Sequence, residues 1–144
     1  MYNVIRFRTS DKEKATIAFD IRQRVFVNEQ KVSREEEYDS HEDESTHYLL
    51  LVAEQPAGTA RWRFTEKGIK LERFAILPTF RNSGAGSFLV NQVLSDVIPL
   101  NKYTYLHAQV TAINLYKRAG FVQEGELFYE ANIAHYKMVY HPSK

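Results

Sequence analysis

Apolar and polar positions alternate from Tyr2 to Arg8, the two-residue period of a strand with one buried face. Thr9, Ser10 and Asp11 then offer helix caps. Ile17, Ile21, Val25 and Phe26 recur at helical spacing, which predicts a helix from Asp11 to about Val27. The periodicity lapses from Asn28 to Thr46, where Glu35, Glu36, Glu37, Asp39, Glu42, Asp43 and Glu44 crowd together; this reads as a loop or ragged helix. Short apolar or alternating runs return at His47–Glu54, Thr59–Thr65 and Ile69–Leu77, separated by turns at Gln55–Gly58 and Glu66–Gly68. Three strands so closely joined predict an antiparallel meander, ended by Pro78. A helix over Gly84–Val97 carries Phe88, Leu89, Val93 and Val97 on one face. A strand over Tyr103–Val110 follows, then a short helix over Ala112–Ala119 closed by Gly120, and strands over Phe121–Phe128 and Ile133–Tyr140. The order β-α-β-β-β-α-β-α-β-β predicts an α+β fold: a twisted, mostly antiparallel sheet of about seven strands flanked by helices.

Composition narrows the class of function. The 144 residues suit a single domain over 1–144, and 44% hydrophobic residues can form a core without disulfide or metal support. The absence of cysteine excludes a thiol nucleophile and every cysteine-based zinc site. With 19 basic and 18 acidic residues there is no bulk charge to draw nucleic acid or a membrane surface. Met1–Arg8 lacks the basic-then-apolar order of a signal peptide and no apolar run approaches a span, so a cytoplasmic location is expected.

The chemistry concentrates where the third strand of the meander ends. Leu77-Pro78-Thr79-Phe80-Arg81-Asn82-Ser83 turns into Gly84-Ala85-Gly86-Ser87, which opens a helix. Unpaired N–H groups and the helix dipole make such a start an anion site, and glycines let a phosphate approach the backbone. Arg81 can add a cation. Without a Gly-Lys-Ser/Thr ending this is no P-loop, and the third glycine of a dinucleotide fingerprint is replaced by Phe88 or Leu89.

The spacing Arg81-x-x-Gly84-x-Gly86, followed by Asn114-x-Tyr116-x-x-x-Gly120-Phe121, resembles the GNAT superfamily of acyl-CoA-dependent N-acyltransferases, and the element order matches along nearly the whole chain. Arg22-x-x-Val25-Phe26-Val27-x-Glu29-Gln30, His47, Ala108-Gln109 and His135 are similar to its ElaA-like branch. The sequence departs from that branch at Ala134-His135, where Pro-His is usual, and at Ala85, where a basic residue is usual. The resemblance implies acetyl-CoA as donor and transfer of its acyl group, acetyl first, to a primary amine in a ternary complex. It also implies a cofactor surface made by Ile76, Leu77, Arg81, Asn82, Ser83, Gly84, Ala85, Gly86, Ser87, Asn114 and Tyr116. In it the Ile76 N–H is the oxyanion donor, Tyr116 the acid that protonates the leaving thiolate, and Asn114 a partner of the pantetheine amides.

Direct transfer also needs a base. Period-two alternation puts Glu72 on one strand face with Phe74 and Ile76, lining the cleft; the same carboxylate could instead pair with Arg61, Arg63 or Arg73. Glu29, Gln30, His107 and Gln109 are the expected acceptor-binding residues. The acids after Glu29 would attract a cationic amine, or serve only as a solvated loop. His47, His107 and His135, with Glu72, would suit zinc if the sheet gathered them, but no two share one element at ligand spacing, and no metal is expected. The expected partner is a small-molecule or peptide amine, with no nucleic acid or membrane. A homodimer through the aromatic-rich last strands, bearing Phe128, Tyr129, Tyr136 and Tyr140, is a further expectation. The alternative to an enzyme is a non-catalytic acyl-CoA-sensing or protein-interaction module, which would keep the glycine loop without needing Tyr116 or Glu72.

Overall fold

A computed structural model describes residues 1–141. Strand β1 (Tyr2–Phe7) leads to helix α1 (Lys12–Arg22), capped by the Asp11 carboxylate, which accepts from the Lys14 N–H. The helix runs straight on into a π-helical turn over Gln23–Glu29. A one-turn helix α2 (Arg34–Glu37), capped by Ser33, sits inside the acidic segment read as a loop or ragged helix. Strands β2 (Thr46–Val52), β3 (Gln55–Phe64) and β4 (Ile69–Ile76) form the expected meander. Helix α3 (Ala85–Val97), strand β5 (Thr104–Gln109), helix α4 (Ile113–Ala119) and strands β6 (Phe121–Glu130) and β7 (Ile133–Tyr140) follow among the described residues.

The strands lie in the order β1-β2-β3-β4-β5-β7-β6, antiparallel except for the parallel pair β4–β5. One face packs on α3 and α4 through Leu50, Leu71, Leu89, Val90, Val93, Leu106 and Met138. The other packs on α1 through Phe7, Ala18, Ile21, Val25, Leu49 and Ala75. The α+β class, the strand number and the element order match the sequence reading.

Two features of the meander differ from expectation. The turn expected at Gln55–Gly58 lies at Ala53-Glu54, both at positive φ, and β3 already starts at Gln55. Paired positive φ values are the mark of a tight hairpin turn, which Asn-Gly would have announced and Ala-Glu does not. Pro56 is tolerated within β3 because the pairing with β2 slips there, between Leu50 and Leu51.

The second irregularity shapes the molecule. Between the pairs Arg61↔Glu72 and Thr59↔Ala75, β4 contains one residue more than β3, and Arg73 takes φ 60. This bulge reverses the side-chain alternation. Phe74 and Ile76 face the α3 side with Leu71, while Ala75 turns to the α1 side. The expectation that Glu72 shares a face with Phe74 and Ile76 is thereby corrected. The bulge also separates β4 from β5, whose parallel ladder runs only from Ile69↔Thr104 to Leu71↔Leu106. Beyond that point the strands fork.

Candidate active site

The fork opens into a cleft of about 1020 Å³, bounded by the ends of β4 and β5, the start of α3, α4, the π-helical turn and the β6–β7 hairpin. Its size and its position beyond the carboxyl ends of a parallel pair suit a ligand longer than a simple metabolite.

On the α3 side, Gly84 caps the helix at φ +87 without a side-chain hydrogen bond, and Asn82 also holds a positive φ of 61. The N–H groups of Ala85, Gly86 and Ser87 are left without a side-chain cap, the arrangement an anion needs. A Cβ at Gly84 would meet only the Tyr2 hydroxyl, 3.6 Å away, so the glycine serves the backbone angle rather than space. Arg81 donates through Nε to the Ile76 carbonyl at 2.8 Å and through both terminal nitrogens to Glu29 at 2.7 and 2.8 Å. The ion pair raises the Arg81 pKa and lowers that of Glu29. It also ties the π-helical turn to the glycine loop.

Leu77 donates its N–H to Ala57, toward β3. Alternation turns the Ile76 N–H and carbonyl the other way, into the fork, which agrees with the carbonyl being met by Arg81. Tyr116 lines the cleft from α4 with its ring edge-on to Phe74 and Phe121. Burial raises its pKa, so the phenol stays protonated throughout the physiological range.

Thirteen of the expected site residues meet in this cleft: Glu29, Gln30, Glu72, Ile76, Arg81, Asn82, Gly84, Gly86, Ser87, His107, Gln109, Asn114 and Tyr116. Leu77, Ser83 and Ala85 lie behind its wall. Leu77 packs toward the α1 core, the side chain of Ala85 at the start of α3 turns into the core, and the Ser83 hydroxyl donates to the Phe80 carbonyl while the Ser83 carbonyl accepts from Tyr2.

Glu72 reaches the cleft, but its carboxylate is held by Arg61 at 2.5 Å, Arg63 at 3.0 Å and Lys70 at 3.3 Å. Burial opposes ionisation and these cations overcome it, leaving the pKa at about 2. The acids expected to face solvent or substrate are also used internally. Arg22, 2% exposed, binds Glu37 and Glu42. Arg61, 1% exposed, binds Asp39 and Glu42 as well as Glu72, and Arg73 reaches Asp39. Desolvation wins only at Glu37, whose pKa is raised despite Arg22 and Arg73.

On the acceptor side, Gln109 donates to Gln30 at 2.8 Å, joining β5 to the π-helical turn. His107 and His135 converge on Glu130, a residue the sequence reading missed because it is 23 positions from His107 and carries no motif. His47 stands apart on β2, stacked on Phe7 and bonded to the Glu42 carbonyl. The three histidines therefore do not form one cluster, and among the described residues no group of three or more histidine, aspartate or glutamate side chains is placed to hold a metal ion. Nor is any helix among them long and apolar enough to cross a membrane.

Comparison with known proteins gives the family and agrees on the fold. The acetyltransferase (GNAT) domain model matches residues 9–142. The chain is 34% identical over 131 residues to the uncharacterized N-acetyltransferase YjcF of Bacillus subtilis, covering 90% of this chain and 94% of YjcF. In structure it resembles an acyl-CoA N-acyltransferase from Pseudomonas aeruginosa, with a TM-score of 0.85 at 24% identity over 98% of this chain and all of the other. It also resembles ElaA of Escherichia coli, with a TM-score of 0.86 at 21% identity and the same coverage.

Proposed function

Since this chain belongs to the GNAT family and is an acetyl-CoA-dependent N-acetyltransferase, we propose that it transfers the acetyl group directly to a primary amine within a ternary complex held in the β4–β5 fork. The observation that carries this reading is the fork itself. It brings an uncapped helix start, an outward strand N–H and a buried phenol to one cleft.

In this reading the pyrophosphate lies on the N–H groups of Ala85, Gly86 and Ser87, in the turn shaped by Asn82, Ser83 and Gly84, with Arg81 as cation. Leu77 supports the strand end from behind, and Asn114, on the first turn of α4, meets the pantetheine amides. The Ile76 N–H stabilises the oxygen that gains charge when the amine attacks. The Tyr116 hydroxyl protonates the departing sulfur, which a phenol kept neutral by burial can do. Glu29, Gln30, His107 and Gln109 border the acceptor. Glu72, held near pKa 2 by three cations, is a poor proton acceptor, and its part is to anchor the bulge.

The test is to incubate the protein with acetyl-CoA and a panel of alkylamines, amino sugars and lysine peptides, following thiol release and acetyl mass gain on the amine. Acetylation of at least one amine is expected. Binding of acetyl-CoA with no amine acetylated would overturn the reading in favour of a sensing module.

A further inference from the structure

We propose that His107 is the general base of the reaction and that Glu130 orients it. The proposal rests on the amine-transfer reading above and supplies the proton acceptor which that reading lacks.

Position comes first. The β4–β5 ladder ends at Leu71↔Leu106, so His107 is the first β5 residue beyond it, at the apex of the fork. Leu106 and Ala108 pack into the α3 core, which leaves His107 and Gln109 on the opposite face, where Gln109 meets Gln30. That face is bounded by the π-helical turn and the β6–β7 hairpin, and the residues of both line the same cleft.

Orientation follows from hydrogen-bond chemistry. The His107 Nδ1 lies 2.9 Å from the Glu130 carboxylate, and the His107 bond lowers the Glu130 pKa against the opposing effect of burial. An ionised carboxylate can only accept, so the proton of the neutral ring sits on Nδ1 and Nε2 carries the lone pair. Phe128 meets the ring edge-on at 5.0 Å and restricts its rotation. The other titratable groups around the ring are Lys70 and Glu72 on β4, Tyr105 on β5, and His135 and Lys137 on β7. Lys70 and Glu72 pair with each other, and the Lys137 ammonium lies over the Tyr103 and Tyr105 rings. The His135 Nδ1 is taken by the Ile133 carbonyl at 2.6 Å, so of the two histidines beside Glu130 it is His107 that binds the carboxylate through Nδ1.

The protons balance as follows. The substrate ammonium gives one proton to His107 Nε2, which later releases it to solvent. The freed lone pair forms the N–C bond as the C–S bond breaks and its electron pair leaves on sulfur. Tyr116 protonates the sulfur. The second proton, lost from nitrogen once the N–C bond has formed, returns through solvent to the Tyr116 oxygen. Ammonium and thioester thus become amide, thiol and one free proton.

The experiment measures kcat/KM against pH for wild type, His107→Gln and Glu130→Gln. The acceptors are an alkylamine taken from the panel above and water itself, read as slow acetyl-CoA hydrolysis. Acetyl-CoA affinity is measured alongside as the control for an intact fold. The proposal expects His107→Gln to lose roughly 100-fold or more in kcat and the acidic limb of its profile, with affinity retained. Glu130→Gln should lose less, and its acidic limb should move. Added imidazole should partly restore His107→Ala. Equal rates and profiles in wild type and His107→Gln would overturn the dyad while leaving amine transfer standing. Wild type that binds acetyl-CoA yet turns over neither amines nor water would overturn the transfer reading, and the dyad with it.

Discussion

Arg81 and Glu29 embrace each other across the entrance to the cleft, and a pyrophosphate bound at the helix start must compete with that carboxylate for the guanidinium. Charge-assisted hydrogen bonds of this kind contribute about 1.5–3 kcal/mol. Arg81→Ala is therefore expected to weaken acetyl-CoA binding by roughly 10- to 100-fold, as titration calorimetry would show. Gly84→Ala probes the backbone instead. The φ of +87 costs a Cβ-bearing residue about 1–2 kcal/mol, so urea unfolding should show a loss of that order, with weaker acetyl-CoA binding. Tyr116→Phe keeps the aromatic contacts with Phe74 and Phe121 and removes only the hydroxyl. Its kcat should fall by about 100-fold with acetyl-CoA affinity unchanged; unchanged turnover would remove Tyr116 from the proton path.

At the scale of elements, the β4 bulge and the charges beneath it act together. Glu72 is the last β4 residue still in register before Arg73 bends the strand, and Arg61 fastens it to β3 and to the acidic segment. Removing one member of a buried pair strands its partner, so Arg61→Ala should cost about 3–5 kcal/mol in urea unfolding. The Glu72 pKa lies below its unfolded value of 4.5, so its contribution is full above that pH and disappears as pH falls through about 2. The stability gap between wild type and Glu72→Gln, on the order of 3 kcal/mol at neutral pH, should close over that window. Strand and helix positions were legible in the chain because burial imposes a period. The bulge was not, since a single extra residue at Arg73 leaves the local pattern of Leu71, Phe74 and Ile76 plausible in either register. The expected face for Glu72 failed for that reason, whereas the other reading of its carboxylate, as a partner of Arg61, Arg63 or Arg73, is what the structure shows. The ion network was invisible too: Glu37, Asp39 and Glu42 look like any solvated run until Arg22 and Arg61 are seen buried beneath them.

The whole molecule splits its labour across the sheet. In the proposed reading the α3 side holds the anion site and the α1 side the acceptor residues, and the fork connects them through the sheet. The glycine-loop helix start was legible from spacing, because Arg81, Gly84 and Gly86 are nearly contiguous. The grouping of His107, Glu130 and Gln30 was legible only in part, since topology rather than spacing assembles it. At the outer edge, β6 exposes Val122, Leu127 and Tyr129, and we propose the homodimer contact there. Sedimentation should then give a dimer that Tyr129→Lys converts to monomer, whereas a monomeric wild type would remove that contact. Whether the fork and its glycine loop receive acetyl-CoA is tested most directly by thermal unfolding with and without that ligand. At about 100 times its dissociation constant, acetyl-CoA should stabilise wild type by about 2.7 kcal/mol, and at the same concentration it should stabilise Arg81→Ala by only about 0.4–1.4 kcal/mol. An equal midpoint shift in both proteins, or none in wild type, would contradict the assignment of this cleft.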